Sequence, residues 1–289
     1  CRLGWQLNMT VIVAKELTTA LTALREHGDA RLIQGGTDLM VEINFNHVKP
    51  TTMISLRDIE SLRTIRRDQP GIISIGSGVP YSIIEGEPVL SAIPALAQAA
   101  RTVGSPQIRA AGSLGGNLGT CSPAGDTLPV MFALDAMIHL STVDSSRVVS
   151  IHDFMTGVKR SVRQHDEIIT TIDFPIINGW QGYSKVGVRN AMVISVASAC
   201  LVADHENADV RIALGSVGPT IIRCRAAEAW LKSTLDLSTR EAISLDVANE
   251  FGRRAAEESS PIDDHRSTAQ YRRHAISVLA SRLLRKAYQ

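Results

Sequence analysis

The 289-residue chain has only four cysteines, Cys1, Cys121, Cys200 and Cys224, and none stands in a Cys-x-x-Cys pair. No His/Cys group has the spacing of a zinc site. Scattered thiols of this kind exclude an ordinary iron–sulfur cluster held by this chain alone, and they read as reduced cysteines of a cytosolic protein. An excess of one charge is also missing. Thirty Lys and Arg face 29 Asp and Glu, for a formal net charge of +1. Without a long basic run, a nucleic-acid or membrane surface is not indicated. No apolar stretch approaches the ~20 residues that span a bilayer. The opening "CRLGWQLN" has no apolar centre of a secretion signal. Met9 is read as the natural start, which sets residues 1–8 apart as a tail. Neither phosphate fingerprint is present: no G-x-x-x-x-G-K-[ST], and no G-x-G-x-x-G opening a helix after a strand. Internal repeats and low-complexity segments are absent too.

What is present suits a folded protein. Hydrophobic residues make up 44% and charged residues 20%, enough for a substantial core in one large domain or two ordinary ones. Residues 16–27 place Leu17, Ala20, Leu21 and Leu24 on one helical face, with Gly28 as the stop. "ARLI" predicts a short strand, "QGGT" a break, "DLMVEIN" a helix capped by Thr37, and "TTMISL" a second strand, which together make a small β-α-β unit. Further on, "GIISIGSG" predicts a strand, "SAIPALAQAARTV" a helix stopped at Gly104, and "TLPVMFALDA" a short helix. "MIHLSTV", "RVVSI" and "EIITTIDF" predict antiparallel strands. After a break near residue 178, three strands and then helical patterns at about 223–233, 238–257 and 268–287 predict a separate α+β unit.

The unusual stretch is 110–126, "AAGSLGGNLGTCSPAGD". It has five glycines between Gly112 and Gly125 and no lysine or arginine. Such a loop points backbone N–H groups into one concavity and binds an anion without formal charge. Gly35-Gly36-Thr37 at a helix start fits the same pattern. Two such loops facing each other would clamp the diphosphate of a dinucleotide. Asn117, Thr120 and Ser122 would add polar contacts, and Asp126 would accept from ribose hydroxyls. Read as backbone alone, the pattern also fits two tight turns.

The segments "ARLIQGGTDLMVEI" (30–43) and "SPQIRAAGSLGGNLGTCSPAGDTLPVMFAL" (105–134) closely resemble the FAD-binding medium subunit of molybdenum hydroxylases, the family of xanthine dehydrogenase and carbon monoxide dehydrogenase. "DEIITTIDFP", "YSKVGVRNAM" and "GSVGPTIIRCRAAEAWL" match its later landmarks in order. The resemblance runs from about residue 10 to the C-terminus. It implies an α+β fold: a two-lobed vanillyl-alcohol-oxidase/PCMH-type FAD-binding domain over 9–178 (lobes about 9–56 and 57–178), then a smaller α+β C-terminal domain over 179–289 with a three-stranded antiparallel sheet and three helices. It also implies a set of FAD contacts. The first run is Arg31, Leu32, Ile33, Gln34, Gly35, Gly36, Thr37, Asp38 and Leu39. The second is Gly112, Ser113, Gly116, Asn117, Thr120 and Ser122, with Asp126 towards the ribose. Ile169 and Lys185 match positions beside the flavin, and Trp180 and Tyr183 are candidates to cover its ring. Relatives commonly carry an acidic residue where this chain has Val193.

The same resemblance implies an electron-transfer subunit that is inactive as a hydroxylase by itself. FAD would be the cofactor of this chain. A small subunit with two [2Fe-2S] clusters and a large molybdopterin subunit would be its partners, often in a dimer of heterotrimers, with NAD, oxygen or another carrier as acceptor. No acid, base or nucleophile is assigned. Cys121 reads as a small buried hydrophobe, and His152 and Asp153 as a helix start rather than a catalytic pair. Two other classes stay open from the residues alone: a stand-alone FAD oxidase with its own substrate, and a non-redox nucleotide-binding module.

Overall fold

The computed structural model describes residues 9–289; the tail expected over 1–8 lies outside the described residues. The N-terminal lobe is a three-stranded parallel sheet in the order β1-β3-β2, with β1 at Thr10–Val13, β2 at Arg31–Ile33 and β3 at Thr52–Ser55. Helix α1 (Leu17–Glu26) joins β1 to β2 and α2 (Leu39–Asn44) joins β2 to β3. The expected face of α1 is buried at Ala20, Leu21 and Leu24, against Ile54, Leu56, Ile59 and Leu62. Helix α2 differs from expectation. It starts at Leu39 with Asp38 in the capping position, and no side chain caps it.

A second lobe is built on a five-stranded antiparallel sheet, β4-β5-β10-β6-β7. Its strands are β4 (Ile65–Arg66), β5 (Ile72–Gly76), β6 (Met137–Ser141), β7 (Ser146–Ser150) and β10 (Ile168–Pro175), and a small ribbon of β8 (Met155–Gly157) and β9 (Arg160–Ser161) stands apart. Between β5 and β6 run six short helices: α3 (Tyr81–Ile84), α4 (Val89–Ala92), α5 (Pro94–Arg101), α6 (Pro106–Ala111), α7 (Leu114–Thr120) and α8 (Leu128–Ala133). The single helix expected over 91–103 is broken at Ile93, because Pro94 has no N–H to continue the ladder and takes the first position of α5. Helix α9 (Ile151–Phe154) is capped by the Ser150 hydroxyl.

The C-terminal part is a four-stranded antiparallel sheet, β11 (Gly179–Val186), β12 (Ala197–Asp204), β13 (Asp209–Gly215) and β14 (Ile222–Arg223). The two-residue β14 is an addition to the three strands expected. All eight residues of β12 are buried, because α12 covers one face of the sheet and α8 reaches the other. That coverage explains a run of small and apolar side chains without polar alternation. Helices α10 (Arg225–Thr234), α11 (Leu245–Glu257) and α12 (Ala269–Ala287) complete this part. The helix expected over 238–257 begins only at Leu245, capped by the Ser244 hydroxyl.

Candidate functional site

A cavity of about 610 Å³ opens where the first two lobes and the 192–194 segment meet, a size typical of small-molecule sites. Every residue of the first expected run, Arg31 to Leu39, lines it. So do Gly112, Ser113, Gly116, Asn117, Thr120, Ser122, Asp126 and Ile169. The two runs touch directly: a Cβ on Gly35 would lie 1.9 Å from the Ala111 carbonyl oxygen, so only glycine lets the backbones approach this closely. The Thr120 hydroxyl also donates to the Asp38 carboxylate at 3.1 Å across the junction.

The two runs differ in what they present. In the first, the amides of Gly35, Gly36, Thr37 and Asp38 donate to no acceptor among the described residues, and Gly36 holds φ at +69°. Successive free amides in a turn of this kind form an anion-binding concavity. In the second, the expected open loop is a correction: residues 114–120 are helical. The Gly115 amide donates to the Ser77 carbonyl, the Gly116 amide to the Ser113 hydroxyl, and the Asn117 amide to the Ser113 carbonyl. These donors are engaged inside the protein. What α7 offers is bare surface. A Cβ on Gly119 would meet nothing within 4 Å, and one on Gly116 only the Ser113 hydroxyl at 3.5 Å. The polar side chains are partly engaged as well. Asn117 accepts from Thr127 at 2.7 Å, and Ser122 accepts from the Ala124 amide.

Free amides and bare glycine surface on one cavity of about 610 Å³ fit a dinucleotide cofactor such as FAD. The diphosphate needs donors and close approach, and the rest of the ligand needs volume without side chains.

Asp126 is buried and its carboxylate already accepts three hydrogen bonds, from Tyr183 Oη at 2.9 Å, Ser195 Oγ at 2.6 Å and Lys185 Nζ at 2.6 Å. Lys185 therefore departs from its expected place. It does not line the cavity but sits behind Asp126, one hydrogen bond removed. Trp180 and Tyr183 do not line the cavity either; they border a separate groove, and the Tyr183 hydroxyl is held by Asp126. Ile169 lies on β10 opposite Leu140, and its side chain is almost fully buried at the cavity wall.

Several lining residues escaped the sequence reading. Tyr81 packs its ring against Gly112, and its amide donates to the Gly112 carbonyl. Arg163 lines the wall near Arg31, and burial, followed by the Arg31 charge, lowers its pKa. Lys159 pairs with Glu42 at 2.5 Å. Met192, Val193 and Ile194 supply an apolar wall where an acidic residue was expected of relatives. Tyr81, Arg163 and Lys159 stand in no local motif, whereas Val193 was singled out by the resemblance and Met192 closes one of its landmark segments. Gly104 carried a trace, since its φ of +48° is a conformation that glycine adopts at low cost.

Cys121 lies under the site, with burial pushing its thiol up to about 11, which suits packing rather than nucleophilic chemistry. His152 does not face a catalytic partner: its Nε2 meets the Asp135 carboxylate at 2.6 Å. Among the described residues, no group of three or more His, Cys, Asp or Glu gathers to hold a metal ion. No helix there is long and apolar enough to cross a membrane.

Residues 7–177 match the profile of the FAD binding domain in molybdopterin dehydrogenase, and residues 183–287 match the CO dehydrogenase flavoprotein C-terminal domain. The chain is 34% identical to the nicotinate dehydrogenase FAD-subunit of Eubacterium barkeri, over 79% of this chain and 81% of that one. It is 27% identical to the putative xanthine dehydrogenase FAD-binding subunit of Escherichia coli K12, over 95% and 94%. The fold matches that of quinoline 2-oxidoreductase from Pseudomonas putida 86 with a TM-score of 0.88, at 23% identity and over 97% of both chains.

Proposed function

Because this chain belongs to the FAD-binding subunits of molybdopterin dehydrogenases, we propose that it is the medium subunit of a molybdenum hydroxylase and carries electrons from [2Fe-2S] clusters of a partner, through FAD, to an external acceptor. The observation that carries this reading is the junction of Gly35–Asp38 with Gly112–Gly119 on one cavity. Bound FAD supplies the redox chemistry, taking up electrons singly or in pairs. The residues of this chain bind and orient it. The free amides of Gly35, Gly36, Thr37 and Asp38 would serve the diphosphate. The surfaces of Gly116 and Gly119 admit it without steric hindrance. Asp126 has three of its roughly four acceptor positions occupied and keeps one for a hydroxyl of the ligand. Ile169, Tyr81 and the Met192–Ile194 wall exclude water from the ring system.

Hydroxylation itself would belong to partners: a small iron–sulfur subunit and a large molybdopterin subunit, paired as a dimer of heterotrimers in the cytoplasm. Substrate choice would lie in the large subunit. Relatives named for nicotinate and xanthine support a nitrogen heterocycle as its class. The acceptor would be NAD, oxygen or another carrier, reached past an uncharged 192–194 wall. We divide the chain into 9–178 and 179–289, a division that the two family matches support. Purification of the chain with and without co-expressed partners tests the reading. The expected result is a yellow protein with one FAD per chain and no hydroxylase activity until the partners are added. A colourless chain that fails to bind added FAD contradicts it.

A further inference from the structure

Lys185 on β11 contributes nothing to the cavity wall, yet its ammonium group joins three segments that do. It donates to the Asp126 carboxylate at 2.6 Å, to the Thr102 carbonyl at 3.0 Å and to the Val193 carbonyl at 3.1 Å. These are its three available donors, and all are used. Thr102 closes α5, directly before the lining residues Val103 and Gly104. Asp126 closes the second glycine run, and Val193 is itself part of the wall. The pair is buried, with side-chain exposures of 10% for Lys185 and 9% for Asp126.

The stretch around Val193 has little else to hold it. Met192 and Ile194 are 55% and 52% exposed. The Val193 side chain packs on Gly187 of the same loop, and Arg189 donates to carbonyls of Ala191 and Met192 within it. Val196 anchors the end of the loop, its amide donating to the Val186 carbonyl and its carbonyl accepting from Arg272. The ties of 192–195 themselves converge on one place, with Lys185 on the Val193 carbonyl and the Ser195 hydroxyl on Asp126.

We propose that Lys185 is a positioning residue for the flavin site, which fixes the Met192–Ile194 wall against the second glycine run and α5 without touching the cofactor. The proposal rests on the reading of this cavity as the FAD site. Its test uses the full chain in three forms: wild type, Lys185→Met, and the double variant Asp126→Asn with Lys185→Met. The double variant leaves no unpaired buried charge, which removes the chief cost that could keep the single variant from folding. Two quantities are read well below the melting temperature: the Kd for FAD by fluorescence titration, and amide hydrogen exchange of residues 187–195. The expected result in both variants is at least about a tenfold weaker Kd, with faster exchange in 187–195 and unchanged exchange in β12. Wild-type exchange over 187–195 overturns the proposal, whatever the change in Tm. It does so also if FAD binding weakens in the double variant, because that loss then belongs to the contact made by Asp126 itself. Wild-type affinity in Lys185→Met likewise overturns it. A wild-type chain that binds no FAD refutes the functional reading instead.

Discussion

Gly35 and Gly116 shape the cavity in different ways, and each predicts a different substitution outcome. Gly116 opens onto the cavity, with only the Ser113 hydroxyl near an added Cβ. Gly116→Val therefore directs its methyl groups into ligand space. The expected result is a loss of FAD affinity of at least tenfold, about 1.4 kcal/mol, with an unchanged far-UV circular dichroism spectrum. Full FAD occupancy in that variant counts against the assigned site. The buried cysteines give a second prediction at this scale. Burial raises Cys121 to about 11 and raises Cys200 and Cys224 as well. A thiol with that pKa is only about one part in a thousand thiolate at pH 8. Iodoacetamide at pH 8 is expected to leave all three unmodified in the native protein and to label them after denaturation, as read by peptide mass spectrometry. Rapid native labelling of Cys121 would contradict its packing role.

At the scale of elements, the junction between β2-α2 and α6-α7 is the feature that matters. A Cβ on Gly35 would overlap the Ala111 backbone, which cannot swing aside as a side chain could. Gly35→Ala is expected to force the two elements apart, destabilise the fold by about 1–3 kcal/mol and weaken FAD binding. Urea unfolding measures the first and FAD titration the second. An unchanged midpoint would mean that the elements are not pressed together. The glycine content of 112–125 was legible in the sequence, but its conformation was not. Glycine disfavours helix by about 1 kcal/mol relative to alanine, so local propensity pointed to an open loop. Tertiary context overrode it: Leu114 and Leu118 anchor one face of α7 in the core, Ser113 caps it, and Gly115 fits against Ser77 where a side chain would not. By contrast, β12 was readable from its continuous run of small and apolar residues, and α12 from apolar residues at helical spacing, Ala275, Ile276, Leu279, Ala280, Leu283 and Leu284.

At the scale of the molecule, the second lobe and the C-terminal part share one core. Tyr183, Cys200, Val202, Ala213 and Ile221 are buried in the same cluster as Ile75, Leu118 and Phe132. Arg223 reaches across to Asp135 at 2.9 Å and to the Phe132 carbonyl. Such continuity predicts a single thermal transition for the two parts, and added FAD is expected to raise it as a unit. Ligand at one hundred times its Kd stabilises by about 2.7 kcal/mol. Two separate transitions in calorimetry, with FAD shifting only one, would contradict a shared core. The site residues were legible in proportion to how local they are. The 112–126 stretch announced itself by its glycine content and Gly35-Gly36-Thr37 by its glycine pair, whereas the rest of 31–39 was implied only by the family resemblance. Tyr81, Arg163 and Ile194 reach the cavity only through chain crossings that no short motif records. Lys185, implied beside the flavin, lies outside the cavity lining and hydrogen-bonds Asp126 from behind.

The central claim is that two backbone runs, distant in the chain, close on one flavin diphosphate. A crystal structure of the chain grown with FAD tests this most directly. The account predicts density for the diphosphate between the amides of Gly35–Asp38 and the surface of Gly116 and Gly119. Density for FAD elsewhere on the protein, with this cavity empty, would contradict it.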